Sequence, residues 1–178
     1  MATFITSDTH FNHKNIIRYC NRPFVCIEEM NAILIYNWNE VVGPEDTVYH
    51  LGDLFFGSRT KAEVILDQLN GSITLVLGNH DRHRKQLAFF KEMGIYTCKT
   101  FRMVLDGHEL LMVHEPEGRA EKGSILLHGH THCTMPRTAA GVDVGVDAWN
   151  YTPTTFEKVI ECALHVSSAV ENISHRPI

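Results

Sequence analysis

Residues 47–81 read TVYHLGDLFFGSRTKAEVILDQLNGSITLVLGNHD, and the succession of run types in this stretch decides the fold class. Thr47 to Leu51 is short, apolar and β-branched, the composition of a strand, and it runs into Gly52-Asp53. Thr60 to Leu69 carries apolar residues at helical spacing and stops at Asn70-Gly71. Ile73 to Leu77 is again a strand, running into Gly78-Asn79-His80-Asp81. Strand, helix and strand in succession point to a layered α/β fold. Both strands end on a glycine followed by residues that bind metals or protons.

The same grammar extends outward. Phe4-Ile5-Thr6 reads as a buried strand stopped by Ser7-Asp8, and Ile27 to Val42 as an amphipathic helix ended by Gly43-Pro44. Arg84 to Met93 reads as a helix stopped at Gly94. Phe101 to Leu105 and Glu109 to Val113 flank Asp106-Gly107-His108, the signature of a hairpin. Ser124 to Leu127 and Gly141 to Val146 are further strands. Thr154 with Glu157 forms a capping box for a last helix through about Leu164. Residues 1–166 are expected to form a single domain, and 167–178, without periodicity, a tail that frays.

The bulk numbers bound the function. A chain of 178 residues with net charge −5 can bury a real core, and it lacks the basic excess of a general nucleic-acid binder. Five scattered cysteines without a Cys-x-x-Cys argue against a disulfide framework and for a reducing cytoplasm. No apolar run is long enough to cross a membrane. Twelve histidines are the compositional anomaly.

Many of these histidines fall, with Asp and Asn, at strand ends, where α/β sheets place ligands. Asp8-Thr9-His10 would present a carboxylate and an imidazole to one side if extended. It reads alternatively as a helix cap with a solvent-facing His10 before a short helix, Lys14 to Tyr19. Asp53 is a turn residue or a carboxylate able to bridge two metals. In Gly78-Asn79-His80-Asp81, Asn79 offers a neutral oxygen, His80 an unligated ring for substrate, and Asp81 a carboxylate to orient that ring. The alternative is a polar turn with Asp81 capping the next helix. His130 and His132 are at metal-ligand spacing after a strand. His114 ends its strand, whereas His108 lies at the far end.

The ordered series Asp-x-His, Gly-Asp, Gly-Asn-His-Asp, His, Gly-His-x-His, over residues 3 to about 147, resembles the calcineurin-like metallophosphoesterase superfamily. Residues 7–18, Asn21-Arg22-Pro23-Phe24, Tyr49 to Asp53 and Val146-Asp147-Ala148-Trp149-Asn150 resemble its small single-domain bacterial and phage members. The resemblance implies a four-layer α/β/β/α sandwich, two mixed β-sheets flanked by helices. It implies one ion held by Asp8, His10, Asp53 and His132, and a second by Asp53, Asn79, His114 and His130. It also implies attack of a bridging hydroxide on phosphorus, with His80 steadying the charge or protonating the leaving oxygen. Oxygen and imidazole donors without thiolate suit manganese, zinc or iron.

The expected function is therefore a metal-dependent phosphoesterase, preferring small, nucleotide-like diesters. Nucleic acid enters only as a substrate. The rivals are a phosphomonoesterase or protein phosphatase, a dedicated nuclease, and a catalytically silent binding module of the same fold. Asn12, His13, Arg22 and Arg82 are candidate substrate contacts. Glu115 and Glu117, beside His114, would add negative charge where substrate enters. Trp149 and Asn150 are expected to pack the end of the domain.

Overall fold

The computed structural model describes residues 1–116, 123–138 and 140–173. The chain begins with β1 (Thr3–Thr6), α1 (Lys14–Tyr19), α2 (Ile27–Val41), β2 (Thr47–His50), α3 (Arg59–Leu66), β3 (Ser72–Val76), α4 (Arg84–Glu92) and β4 (Tyr96–Cys98). There follow β5 (Phe101–Leu105), β6 (His108–Met112), β7 (Ser124–His128), β8 (Val142–Asp143), a 3₁₀ turn (Val146–Ala148), β9 (Thr154–Thr155) and α5 (Phe156–Ile173). These form two mixed sheets, of order β4-β3-β2-β1-β9 and β5-β6-β7-β8.

Strand alternation sorts the first sheet into two apolar faces. Phe4, Val48, Ile73 and Leu75 point outward and meet Met30, Leu34 and Trp38 of α2, Ala62 and Ile65 of α3, and Phe89 and Phe90 of α4. Ile5, Tyr49 and Val76 point inward and meet Leu110, Met112, Leu127 and Val142 of the second sheet. α5 adds Phe156, Val159 and Ile160 to this core between the sheets. Two mixed sheets packed on each other, with helices against them, agree with the expected fold class.

Register sets the position of the site. β1, β2 and β3 run parallel with Thr6 beside His50 and His50 beside Leu75, so their carboxyl ends share one edge. In the second sheet β6 and β7 are also parallel, with Met112 beside Leu127. A bridge between Ser7 and Gly145 ties the two edges together. All five segments expected to carry ligands leave from this shared rim.

Three local features differ from the sequence expectation. β4 and β9 are strands that composition does not announce, being three and two residues long and held by their neighbours. Thr154 pairs with Ile5 in β9 rather than capping, and Thr155 takes the cap, accepting from the Lys158 N–H at 3.5 Å. α5 continues to Ile173, through part of the expected tail; residues 174–178 lie outside those described. No described helix is long and apolar enough to cross a membrane.

Candidate metal centre

Five of the rim residues have left-handed backbones: Asp8 (φ 57°), His10 (50°), Asp53 (56°), His130 (69°) and His132 (47°). Such conformations cost residues other than glycine about 1–3 kcal/mol each and persist only where the surroundings enforce them. Asp8 with His10, and His130 with His132, therefore do not share a direction through strand-like alternation. Each pair does so through two left-handed residues flanking Thr9 or Thr131. The turns are held by the Asp8 N–H donating to Gly52 O and the His10 N–H to Asp53 O, both at 3.0 Å.

Each of two buried carboxylates uses one oxygen for the scaffold and aims the other inward. Asp8 Oδ2 accepts the His130 N–H at 2.9 Å, while Oδ1 stands 3.7 Å from His10 Nε2 and 3.8 Å from His132 Nε2. Asp53 Oδ1 accepts the His80 N–H at 3.1 Å. Its Oδ2 faces His10 Nε2 and His114 Nε2 at 3.6 Å and His80 Nε2 at 3.9 Å. His114 donates Nδ1–H to Leu51 O at 2.7 Å, so in the neutral ring Nε2 is an acceptor. That acceptor faces Asn79 Oδ1 at 2.9 Å and His130 Nδ1 at 3.3 Å.

This donor set fits a cation. Asp8 Oδ1 and His10 Nε2 are fully buried and have no hydrogen-bond partner, yet they face each other. Buried polar atoms without partners are costly, and a metal between them removes that cost. Asp8, His10 and His132, and separately Asp8, Asp53 and His114, group their donor atoms within 4.8 Å. Burial pushes the Asp8 carboxyl up to about 6, against a smaller opposing pull from His132. Burial raises Asp53 likewise and drives His10 far below the usual imidazole range. Burial would lower His132, but hydrogen bonds to Asp147 and Cys20, with the charge of Asp8, outweigh it and move this ring the other way, to about 10.

Two glycines allow the close approach. A Cβ on Gly78 would strike the Asp53 carboxylate, and one on Gly129 would strike Ser7 Oγ and Asp8 Oδ2. Backbone and ligand thus touch where only glycine fits.

Residues 1–146 match the model of the calcineurin-like phosphoesterase superfamily domain. The chain belongs to that superfamily. It is 35% identical over 170 residues to an uncharacterised protein of Methanocaldococcus jannaschii, with 89% of each chain covered. It is 34% identical over 182 residues to the gene 66 protein of Mycobacterium phage L5, covering 83% of this chain and 87% of the phage protein. A solved structure of a protein of unknown function from Aquifex aeolicus superposes with a TM-score of 0.73 at 25% identity, covering 90% of this chain and 98% of that one.

In this phosphoesterase the expected ligands Asp8, His10, Asp53, Asn79, His114, His130 and His132 converge, with His80 beside them. His80 is 45% exposed and packs on Phe56 with ring centroids 4.6 Å apart, so it stands at the open side of Asp53. His13 also lies here: its ring stacks on Phe56 at 3.9 Å, and its Nδ1 is 3.2 Å from His10 Nδ1.

Other expectations need correcting. Asp81 does not orient His80. Its carboxylate accepts the N–H groups of Asp53 at 2.6 Å, Gly78 at 2.9 Å and Leu54 at 3.4 Å, splinting two ligand loops. Arg22 is not a phosphate contact; it is buried, doubly bonded to Asp147, and donates to the Asp8 and Thr9 carbonyls. Asn12 gives its side-chain oxygen to Asn31 and its N–H₂ to Lys61 O. Arg82 pairs with Glu115 at 3.1 Å, so the extra charge expected from Glu115 is offset; Glu117 lies outside the described residues.

His50 and His128 are buried structural histidines, His50 being held down to about 3 by burial. Trp149 packs as expected, donating Nε1–H to Asp143 O at 2.8 Å. Two neighbours of the site went unassigned in the sequence. Phe56 stacks on His10 and His13 and lies tilted against His80, and Asp147 holds His132 Nδ1 at 2.9 Å. The Val146-Asp147-Ala148-Trp149-Asn150 stretch, part of the family resemblance, is the sequence signal for Asp147.

Proposed function

We propose that this phosphoesterase is a hydrolase working with two divalent ions, of manganese, zinc or iron type, on small phosphodiesters. The observation that carries this reading is the placement of Asp53 Oδ2, a buried carboxylate oxygen facing His10, His114 and His80 at 3.6–3.9 Å. A carboxylate so placed can be shared by two cations, one on the Asp8–His10–His132 side and one on the Asn79–His114–His130 side. Such ions supply hydroxide at neutral pH and neutralise charge on the phosphoryl oxygens. The chain contributes the rest. Asp8 and Asp53 fix the charge of the site, Asp81 splints the loops, and His80 stands where a leaving oxygen needs a proton.

The preference for diesters is supported by the pairing of nearby cations. A monoester dianion asks for more positive charge than a diester monoanion. Arg22 is committed to Asp147 and Arg82 to Glu115, so neither candidate arginine offers an uncompensated charge. A nucleotide-like diester fits the aromatic surroundings of His80 formed by Phe56 and His13.

Assay of Mn²⁺-loaded protein on bis(4-nitrophenyl) phosphate and 4-nitrophenyl phosphate tests the reading. Faster turnover of the diester is expected. Faster turnover of the monoester would favour the phosphatase alternative, and no turnover of either would favour a silent binding module.

A further inference from the structure

Two sequence stretches that the metal ligands leave unexplained, Asn21 to Phe24 and Val146 to Asn150, meet in a single buried contact. Arg22 Nε and Nη2 each reach Asp147 at 2.8 Å, both side chains being almost wholly buried. The same guanidinium donates to Asp8 O at 2.7 Å and Thr9 O at 3.0 Å. Asp147 Oδ2 in turn faces His132 Nδ1 at 2.9 Å, while His132 Nε2 turns to Asp8 Oδ1. The 3₁₀ turn bearing Asp147 is docked on the β1 exit by the Val146 N–H donating to Ser7 O at 3.0 Å. One arginine therefore grips the backbone of Asp8 and the carboxylate behind His132 together.

Stability does not account for this arrangement, since a buried ion pair is often no more stabilising than apolar packing of equal volume. The four expected ligand rings are partnered differently at Nδ1. His10 Nδ1 faces the His13 ring, His114 Nδ1 donates to a backbone carbonyl, and His130 Nδ1 faces His114. Among the described residues, His132 is the ring of the four with a carboxylate at Nδ1. A carboxylate there fixes the tautomer, because it can only accept the Nδ1 proton, and it raises the basicity of Nε2.

We propose that Asp147, clamped by Arg22, is a positioning residue for His132 that sets the affinity of the ion on the Asp8–His10–His132 side alone. The other ion, backed by Leu51 O through His114, is independent of it. This rests on the reading of the site as a two-ion centre.

Calorimetric titration of Mn²⁺ into the wild-type chain and Asp147→Asn tests it. The wild type is expected to bind two ions. The variant is expected to keep one at wild-type affinity and to bind the other about 10- to 100-fold more weakly. Equal weakening of both, or of neither, overturns the proposal. If the variant does not fold, the ¹⁵N-labelled wild type loaded with Zn²⁺ decides. His132 should show a protonated Nδ1 and a metal-shifted Nε2, and a metal-shifted Nδ1 overturns the proposal. A wild type that binds no ion refutes instead the two-ion reading beneath it.

Discussion

Asp53, His80 and Asp81 show how three polar residues close in sequence or space take separate tasks. Asp53 joins the two halves of the site, His80 stands exposed over it, and Asp81 is spent on backbone N–H groups. His80→Ala should lower kcat on an aryl diester by about 10²- to 10⁴-fold while metal content by elemental analysis stays at the wild-type level. Asp81→Ala should act through the fold. Three buried N–H groups lose their acceptor, costing about 3 kcal/mol in urea unfolding. If Asp81→Ala instead left stability intact and shifted only the pH profile, the splint role would be wrong. The sequence made Asp81 look like a partner for His80 because adjacency in a motif is visible and carboxylate direction is not.

At the scale of elements, the rim works because β1, β2, β3, β6 and β7 release their loops at one edge, and glycines let the loops interlock. Gly78→Ala would drive a methyl group into the Asp53 carboxylate. It should therefore lose bound metal and lower the melting temperature, whereas Gly107→Ala, whose Cβ meets nothing within 4 Å, should leave metal content unchanged. Metal analysis and thermal unfolding of the two variants check this contrast. Strands Thr47 to Leu51 and Ile73 to Leu77, and the helix between them, were legible because their periodicity is carried by their own residues. β4 and β9 were not, because Tyr96–Cys98 and Thr154–Thr155 become strands through pairing with β3 and β1. Nor were the left-handed turns at Asp8, His10, His130 and His132, which the mutual grip of loops distant in sequence enforces.

Over the whole molecule, the two sheets hold buried carboxylates and imidazoles in one cleft, which would couple ion binding to pH. The folded Asp8 carboxyl titrates at about 6, above its ordinary value of 3.8. Between these values the metal-free folded chain binds more protons than the unfolded chain, so this group's contribution to stability falls as pH rises through that window. Ions require the carboxylate ionised, so their stabilisation grows over the same window. The gap in melting temperature between Mn²⁺-loaded and EDTA-treated protein should therefore widen from acid to neutral pH. A gap independent of pH would contradict a carboxylate-based centre. The candidate ligands read in order across residues 8–132 because Asp, Asn and His at strand ends are visible in the sequence itself. Arg22 reads in the sequence as a substrate contact and Asp147 carries no role there, since their meeting depends on a contact between residues 125 apart.

The central claim is that Asp53 stands between two ions. The most direct measurement is an anomalous difference map from crystals of the Mn²⁺-loaded protein. Two peaks are predicted, one among Asp8, His10, Asp53 and His132, and one among Asp53, Asn79, His114 and His130. A single peak, or peaks that Asp53 does not touch, would contradict the account.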